Sequence, residues 1–206
     1  MSRAYSPREI ADMTYKPIPW EGEWQEAFGN PDITDTWFIS GPSAGGKSSF
    51  TMQLAKKLCE YGKVDYLSLE EMTSMSFSQR LTRYHMNEVQ GKFRILIDAD
   101  IEALKERLHK RKSAKFIIID SYQFTQWDYP TVQALVREFP RKSFIFISQE
   151  YKSQPAGKSA SRLKYLAGVK VRVVGYVAMC EGRFIQEAGN GFTVWEDGVI
   201  QTSNNI

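Results

Sequence analysis

The sequence predicts an α/β protein with a mostly parallel central sheet flanked by helices and an antiparallel ribbon at its C-terminal end. Short, almost wholly apolar runs at 37–39, 116–119 and 144–147 have the texture of strands covered on both faces. Helical patterns alternate strictly with these runs, which implies right-handed crossovers between parallel strands. After Gly168 the alternation stops, and strand-like segments follow one another.

The elements follow in order. Residues 1–35 read as an irregular arm, with Pro17 and Pro19 beside Trp20 and Trp24, and with Gly29, Asn30 and Pro31 closing a short helix over 23–28. Its aromatics are expected to pack the arm on a single domain formed by 36–206. The run at 37–39 ends at Gly41, and a helical pattern over 47–61 follows with Gly62 as its stop. Residues 64–69 read as a strand, 76–88 as a helix and 93–97 as a strand. Over 100–112, Ile101, Leu104 and Leu108 recur on one helical face, and Asp100 is placed to cap it. A helix over 129–139 separates the last two apolar strands, and a short helix over 162–167 leads to strands at 169–179, 183–187 and 192–195. Asn190-Gly191 and Asp197-Gly198 read as hairpin turns.

Composition narrows the function. With 206 residues, 42% hydrophobic and 25% charged, the chain is neither disordered nor a coiled coil. A net charge of +3 is too small for the whole molecule to act as a polycation, so contact with nucleic acid needs a local basic patch. Cys59 and Cys180 lack metal spacing and His85 and His109 stand apart, which argues against a zinc site or a disulfide framework. There is no run of about 18 apolar residues, and the opening MSRAYSPREIADMTYK lacks the apolar middle of a signal peptide. The expectation is a cytoplasmic protein without a membrane partner.

The strongest chemical signal is Gly41, Pro42, Ser43, Ala44, Gly45, Gly46, Lys47 and Ser48, with Ser49 after it. It satisfies G-x-x-x-x-G-K-[ST] between an apolar strand and a helix. Glycines let successive backbone N–H groups turn inward around a phosphate, and the helix N-terminus adds partial positive charge. Lys47 is placed to reach the β- and γ-phosphates of ATP, and the Ser48 hydroxyl to ligate Mg²⁺. The run Phe116-Ile-Ile-Ile-Asp120 supplies a carboxylate at a strand end, where Asp120 can hold Mg²⁺ through water. Asp98 and Asp100 imitate that pattern less well, because their strand carries Arg94 and runs straight into a helix. No guanine-reading N-K-x-D motif is present, which favours ATP.

The stretch 151–164 holds Lys152, Lys158, Arg162 and Lys164 and no acidic residue, in a Ser/Gly/Pro setting that suggests a flexible loop. It could follow a phosphate backbone, with Tyr151 stacking on a base, or be a solvated loop. The cluster Arg107, Lys110, Arg111, Lys112 and Lys115 fits a helix end that complements its dipole.

Together these residues resemble the RecA-like ATPase core, especially its DnaB helicase and RadA branch. The likeness runs through Val64-Asp-Tyr-Leu-Ser-Leu-Glu70-Glu71-Met72, Gln79-Arg80-Leu81, Ile118-Ile-Asp120-Ser121 and Ile147-Ser148-Gln149, and covers about 37–185. The resemblance implies that Glu70 activates the attacking water, with the adjacent Glu71 as competitor, and that Gln149 senses the γ-phosphate. It places 151–164 at the family's mobile DNA-binding loop, implying single-stranded DNA as partner in recombination or replication. Glu181-Gly182-Arg183-Phe184 partly resembles the RadA-like K-N-R-F element, so Arg183 is the candidate finger of a homo-oligomeric ring or filament. Glu181 stands where that family has Lys. The size matches stand-alone cores of phages and mobile elements. Two other readings stay open: a P-loop kinase for a small metabolite or nucleotide, which should carry an Arg-rich lid that 105–115 could be mistaken for, and a nucleotide-dependent binding module with weak catalysis.

Overall fold

The computed structural model describes residues 3–181 and 191–203. Its elements are α1 (Pro7–Ala11), α2 (Glu23–Phe28), β1 (Trp37–Gly41), α3 (Lys47–Leu58), β2 (Val64–Ser68), α4 (Met75–Arg83), β3 (Phe93–Leu96), α5 (Ile101–His109), β4 (Phe116–Asp120) and α6 (Tyr129–Glu138). They continue with β5 (Ser143–Tyr151), β6 (Gln154–Pro155), α7 (Lys158–Leu166), β7 (Val169–Val174), β8 (Val177–Cys180), β9 (Phe192–Thr193) and α8 (Glu196–Ser203). Short 3-10 turns lie at Met86–Val89 and Tyr122–Phe124.

The sheet order is β3-β2-β4-β5-β1-β7-β8-β9, with β6 pairing the end of β5. Neighbours from β3 to β7 are parallel, and β8 and β9 add antiparallel. This is the predicted mostly parallel sheet with its antiparallel end.

Unbroken apolar strands feed both faces because successive side chains alternate. Trp37 and Ile39 join Phe50, Leu54, Tyr66 and Ile118 on one face, while Phe38 joins Ile117, Phe146, Leu104 and Leu135 on the other. The aromatics of the arm belong to the first face. Trp20 lies edge-on to Trp37 at 5.9 Å between centroids, and Trp24 stacks on Phe50 at 6.3 Å. Residues 3–17 stay exposed.

Several boundaries differ from the sequence expectations. The helix from Lys47 ends at Leu58, and the N–H groups of Glu60 and Tyr61 make turn bonds to Lys57 and Leu58. The helix expected over 76–88 breaks at His85, whose φ of 51° is left-handed, and resumes as a 3-10 turn. The strand expected over 169–179 is two strands, β7 and β8, with Val174 facing Val177 across Gly175 and Tyr176. Both turn residues have positive φ, 55° and 62°, the geometry that matches the strand twist in a two-residue hairpin.

Residues 151–164 are not a long loop. β5 runs to Tyr151, turns through Lys152 and Ser153 at φ 50° and 62°, and pairs back with Gln154 before α7 starts at Lys158. Asp197-Gly198 is not a hairpin turn but lies in the first turn of α8, where Glu196 and Asp197 complement the helix N-terminus. The strand expected over 183–187, Asn190 and the finger candidate Arg183 lie outside the described residues.

Candidate active site

The phosphate loop hangs between the end of β1 and the start of α3. β1 is buried throughout, which fixes where the loop begins. Gly41 has no room for a side chain, since a Cβ there would stand 2.0 Å from the backbone oxygen of Val173 on β7. Gly46 sits at φ +97° with Tyr176 packed on it, so a Cβ would meet the Tyr176 ring at 2.9 Å. The tip of the β7–β8 hairpin thus braces the loop, and Tyr176 N–H donates to the Gly45 carbonyl at 3.1 Å. No side chain caps α3 and no acidic residue sits in its first turn, so its N-terminal N–H groups face the loop free of an internal anion.

The loop opens on a cleft of about 250 Å³. Ser43, Ala44, Gly46, Lys47, Ser48 and Ser49 line it together with Glu70, Asp120 and Gln149. The structure therefore brings together the residues expected to bind nucleotide, hold metal and activate water. Gly41, Pro42 and Gly45 shape the loop behind it. Lys47 donates from Nζ to the Pro42 carbonyl at 2.6 Å. Burial lowers its pKa, against the attraction of Asp120, Glu70 and Glu150.

Parallel pairing of β2 with β4 and of β1 with β5 brings the strand ends to one edge. Ser68 lies beside Asp120, and Gly41 beside Gln149. Gln149 donates from Nε2 to Glu70 Oε1 at 3.1 Å. Glu71 points elsewhere and is bound by both terminal nitrogens of Arg80. Enclosure pushes the Asp120 pKa up to about 6; a hydrogen bond from Tyr66 opposes the rise, Glu70 adds to it and Arg80 offsets it. The following Ser121 is buried, and its Oγ has no hydrogen-bond partner.

Sequence reasoning assigned no role to Arg80, Arg83, Ser121 or Tyr176 on the cleft wall. The Gln79-Arg80-Leu81 and Ile118-Ile-Asp120-Ser121 patterns hinted at Arg80 and Ser121. Arg83 and Tyr176 also face an adjoining cavity of about 550 Å³ with Tyr84 and Trp195, where Tyr176 and Trp195 meet edge to face at 5.1 Å. Gln123 was missed as well. It holds the end of β5 to the turn after β4, donating to Ser148 Oγ at 2.7 Å and to Ala156 O at 3.2 Å.

The basic residues of 151–164 stand apart from the cleft on the hairpin and α7. Tyr151 is 71% exposed and carries Lys152 over its ring at 5.4 Å. Lys158 begins α7 exposed. Arg162 lies over Tyr129 at 5.0 Å, and Lys164 pairs with Glu181 at 3.0 Å, so with Lys152 on Tyr151 three of the four cations already have partners. Tyr151 is two residues from Gln149 on the same strand, and Lys152 follows in the turn. Between Gln149 and Tyr151, Glu150 is held by Ser40 and bidentate Arg172 at 2.9–3.1 Å. Among the described residues no helix is long and apolar enough to cross a membrane.

No protein-family model and no curated protein matches the chain. Solved structures do. The flagellar accessory protein FlaH from Methanocaldococcus jannaschii is similar at a TM-score of 0.60 and 16% identity, over 82% of this chain and 88% of that one. A KaiC-like protein from the hyperthermophilic archaeon Pyrococcus horikoshii OT3 is similar at 0.59 and 16%, over 86% and 92%. Both have the RecA-like P-loop fold, and this chain shares it.

Proposed function

We propose that this chain, with its RecA-like P-loop fold, binds ATP with Mg²⁺, hydrolyses it with water positioned by Glu70, and acts on single-stranded DNA. The observation that carries the hydrolytic part is the Gln149 to Glu70 hydrogen bond in the cleft that Lys47 also lines. Hydrolysis needs a group free to position water in line with the γ-phosphate, which a carboxylate can do. Glu70 is aimed into the cleft, whereas Glu71 is consumed by Arg80.

The donor set suits Mg²⁺. Ser48, Asp120 and the unpartnered Ser121 hydroxyl offer hard oxygens. Among the described residues no group of three or more His, Cys, Asp or Glu forms a protein cage. That fits an ion held by few carboxylates together with substrate phosphates. When bound, Mg²⁺ would neutralise charge on the β- and γ-phosphates. Ser48 and Asp120 would hold it, Lys47 would leave Pro42 O for the phosphates, and loop N–H groups would orient them. The adjoining cavity would take the nucleobase, stacked against Tyr176 with the Arg83 guanidinium nearby. Tyr176→Ala should raise the Kd for ATP about tenfold, the worth of one lost stack, as measured with a fluorescent ATP analogue. An unchanged Kd would move the base elsewhere.

Support for DNA is the exposed Tyr151 at the end of the strand that carries Gln149, with the exposed Lys152 in the turn after it and Lys158 at the start of α7. The test is anisotropy of a labelled oligo(dT) with the full chain and with Lys152→Glu/Lys158→Glu. Affinity should fall steeply between about 50 and 200 mM salt, and the variant should bind about tenfold more weakly. Equal affinities would sink the DNA role and leave the hydrolytic one standing. The kinase reading gains nothing from the geometry. Its lid segment, 105–115, runs along α5 to the start of β4, whose other end carries Asp120 into the cleft.

A further inference from the structure

The cavity of about 550 Å³ that adjoins the cleft is rich in hydrogen-bond donors. Ser49, Arg83 and Tyr176 line both spaces, so the two share a wall beside the phosphate loop. Tyr84, Val194 and Trp195 complete the lining among the described residues. Helix α4 sets the position of the guanidinium. Ser74 Oγ caps its start by accepting from Phe77 N–H at 3.2 Å, and buried Phe77 lies against Tyr66 at 5.8 Å between centroids. Arg80 and Arg83 follow at intervals of three residues, which makes them neighbours on the helix surface. Glu71 holds Arg80. Arg83 is exposed, and among the described residues its guanidinium has no hydrogen-bond or ion-pair partner.

A base in this cavity meets few acceptors. No carboxylate or carboxamide is among the described residues that line it. The Tyr84 carbonyl already accepts from Lys56 Nζ at 3.0 Å, the Val194 carbonyl from Gln53 Nε2 at 3.0 Å, and the Tyr176 carbonyl from Val194 N–H at 2.8 Å. The Ser49 and Tyr84 hydroxyls can donate or accept, whereas the Arg83 guanidinium and the Trp195 indole N–H can only donate. Adenine shows a donor beside an acceptor, N6–H₂ and N7, the pattern that a carboxamide matches. A 6-oxopurine shows two acceptors, O6 and N7, which a guanidinium meets with a pair of N–H groups. The free side chain on this wall therefore has the chemistry of the second base and not of the first.

We propose that this cavity selects 6-oxopurine triphosphates, GTP and its inosine analogue, over ATP, with Arg83 as the residue that reads O6 and N7. The proposal rests on the reading of the cleft as a nucleotide site and adds the base that it prefers.

The test is displacement of a ribose-labelled fluorescent nucleotide, N-methylanthraniloyl-ADP, from the full chain by ATP, GTP, inosine triphosphate and 7-deaza-GTP, with Mg²⁺ present. It compares the wild type, Arg83→Lys and Lys47→Ala, each with far-UV circular dichroism to show that it is folded. GTP and inosine triphosphate should bind the wild type about tenfold more tightly than ATP, the low end of what one bidentate pair discriminates. Arg83→Lys keeps the charge near the phosphates but loses the planar fork, so the preference should vanish while ATP affinity holds. The proposal is overturned if ATP binds as tightly as GTP, if inosine triphosphate follows ATP, or if the preference survives in Arg83→Lys. Should that variant not fold, 7-deaza-GTP, which lacks the N7 acceptor, decides on the wild type. Binding about threefold weaker than that of GTP then supports the proposal, and equal binding overturns it. Displacement by none of the triphosphates, or label binding undiminished in Lys47→Ala, is instead failure of the cleft reading itself, and the proposal falls with it.

Discussion

Glu70→Gln should lower ATP turnover by about 10²- to 10⁴-fold while leaving ATP affinity nearly unchanged. The amide keeps the size of Glu70 and can still meet Gln149, so the cleft should stay assembled. What it loses is the negative charge that orients water and accepts its proton. Glu71→Gln serves as the contrast. Glu71 sits in a bidentate pair with Arg80, whose side chain is 15% exposed, so its loss should act on folding and the set of α4 rather than on the chemical step. Phosphate release and fluorescent-nucleotide binding, measured on both variants, separate the two roles. A Glu70→Gln protein with full turnover would remove Glu70 from the mechanism.

Trp20→Ala should destabilise the chain by about 3–5 kcal/mol, read from urea unfolding monitored by circular dichroism. Trp20 is 1% exposed, and its ring meets Trp24, Phe28 and Trp37 at 5.6, 6.2 and 5.9 Å between centroids. Its indole N–H donates to the Gly29 carbonyl, which the substitution leaves without that donor. Such a loss is a large part of the 5–15 kcal/mol that holds a typical domain together. The arm is therefore expected to be inseparable from the P-loop core, because Trp24 and Phe28 carry the contact on to Phe50 of α3, the helix behind the phosphate loop. An effect below about 1 kcal/mol, the range of surface changes, would show the arm to be an ornament.

Much of this arrangement was legible in the residues. Local chemistry wrote the phosphate loop: glycines where backbone must approach closely, a Lys at the helix start, and an apolar strand before it. The strand ending in Asp120 was equally plain, since four apolar residues leave the carboxylate as the single polar group at its tip. Asp100 could be placed as a cap because its partners, the N–H groups of Glu102 and Ala103, are neighbours in sequence.

What escaped is governed by contacts remote in sequence. The turns at Lys152-Ser153 and Gly175-Tyr176 put side-chain-bearing residues in left-handed backbone, which local propensity disfavours and the paired strands enforce. Stretch 151–164 therefore read as a loose loop. Glu70 and Glu71 could not be told apart by adjacency, because only Arg80 on the next helix separates them. Tyr176 and Trp195 gave no signal at all. Tyr176 reaches the phosphate loop only because β7 lies directly beside β1 in the sheet, and Trp195 meets the site through Tyr176.

The most direct test of the central claim is steady-state phosphate release from ATP by the full chain, with Mg²⁺ and with the ion removed by chelation, beside a Lys47→Ala control. The account predicts Mg²⁺-dependent turnover that falls to background in the control. Turnover that survives in Lys47→Ala, or release no greater than buffer with Mg²⁺ and single-stranded DNA both present, would contradict it.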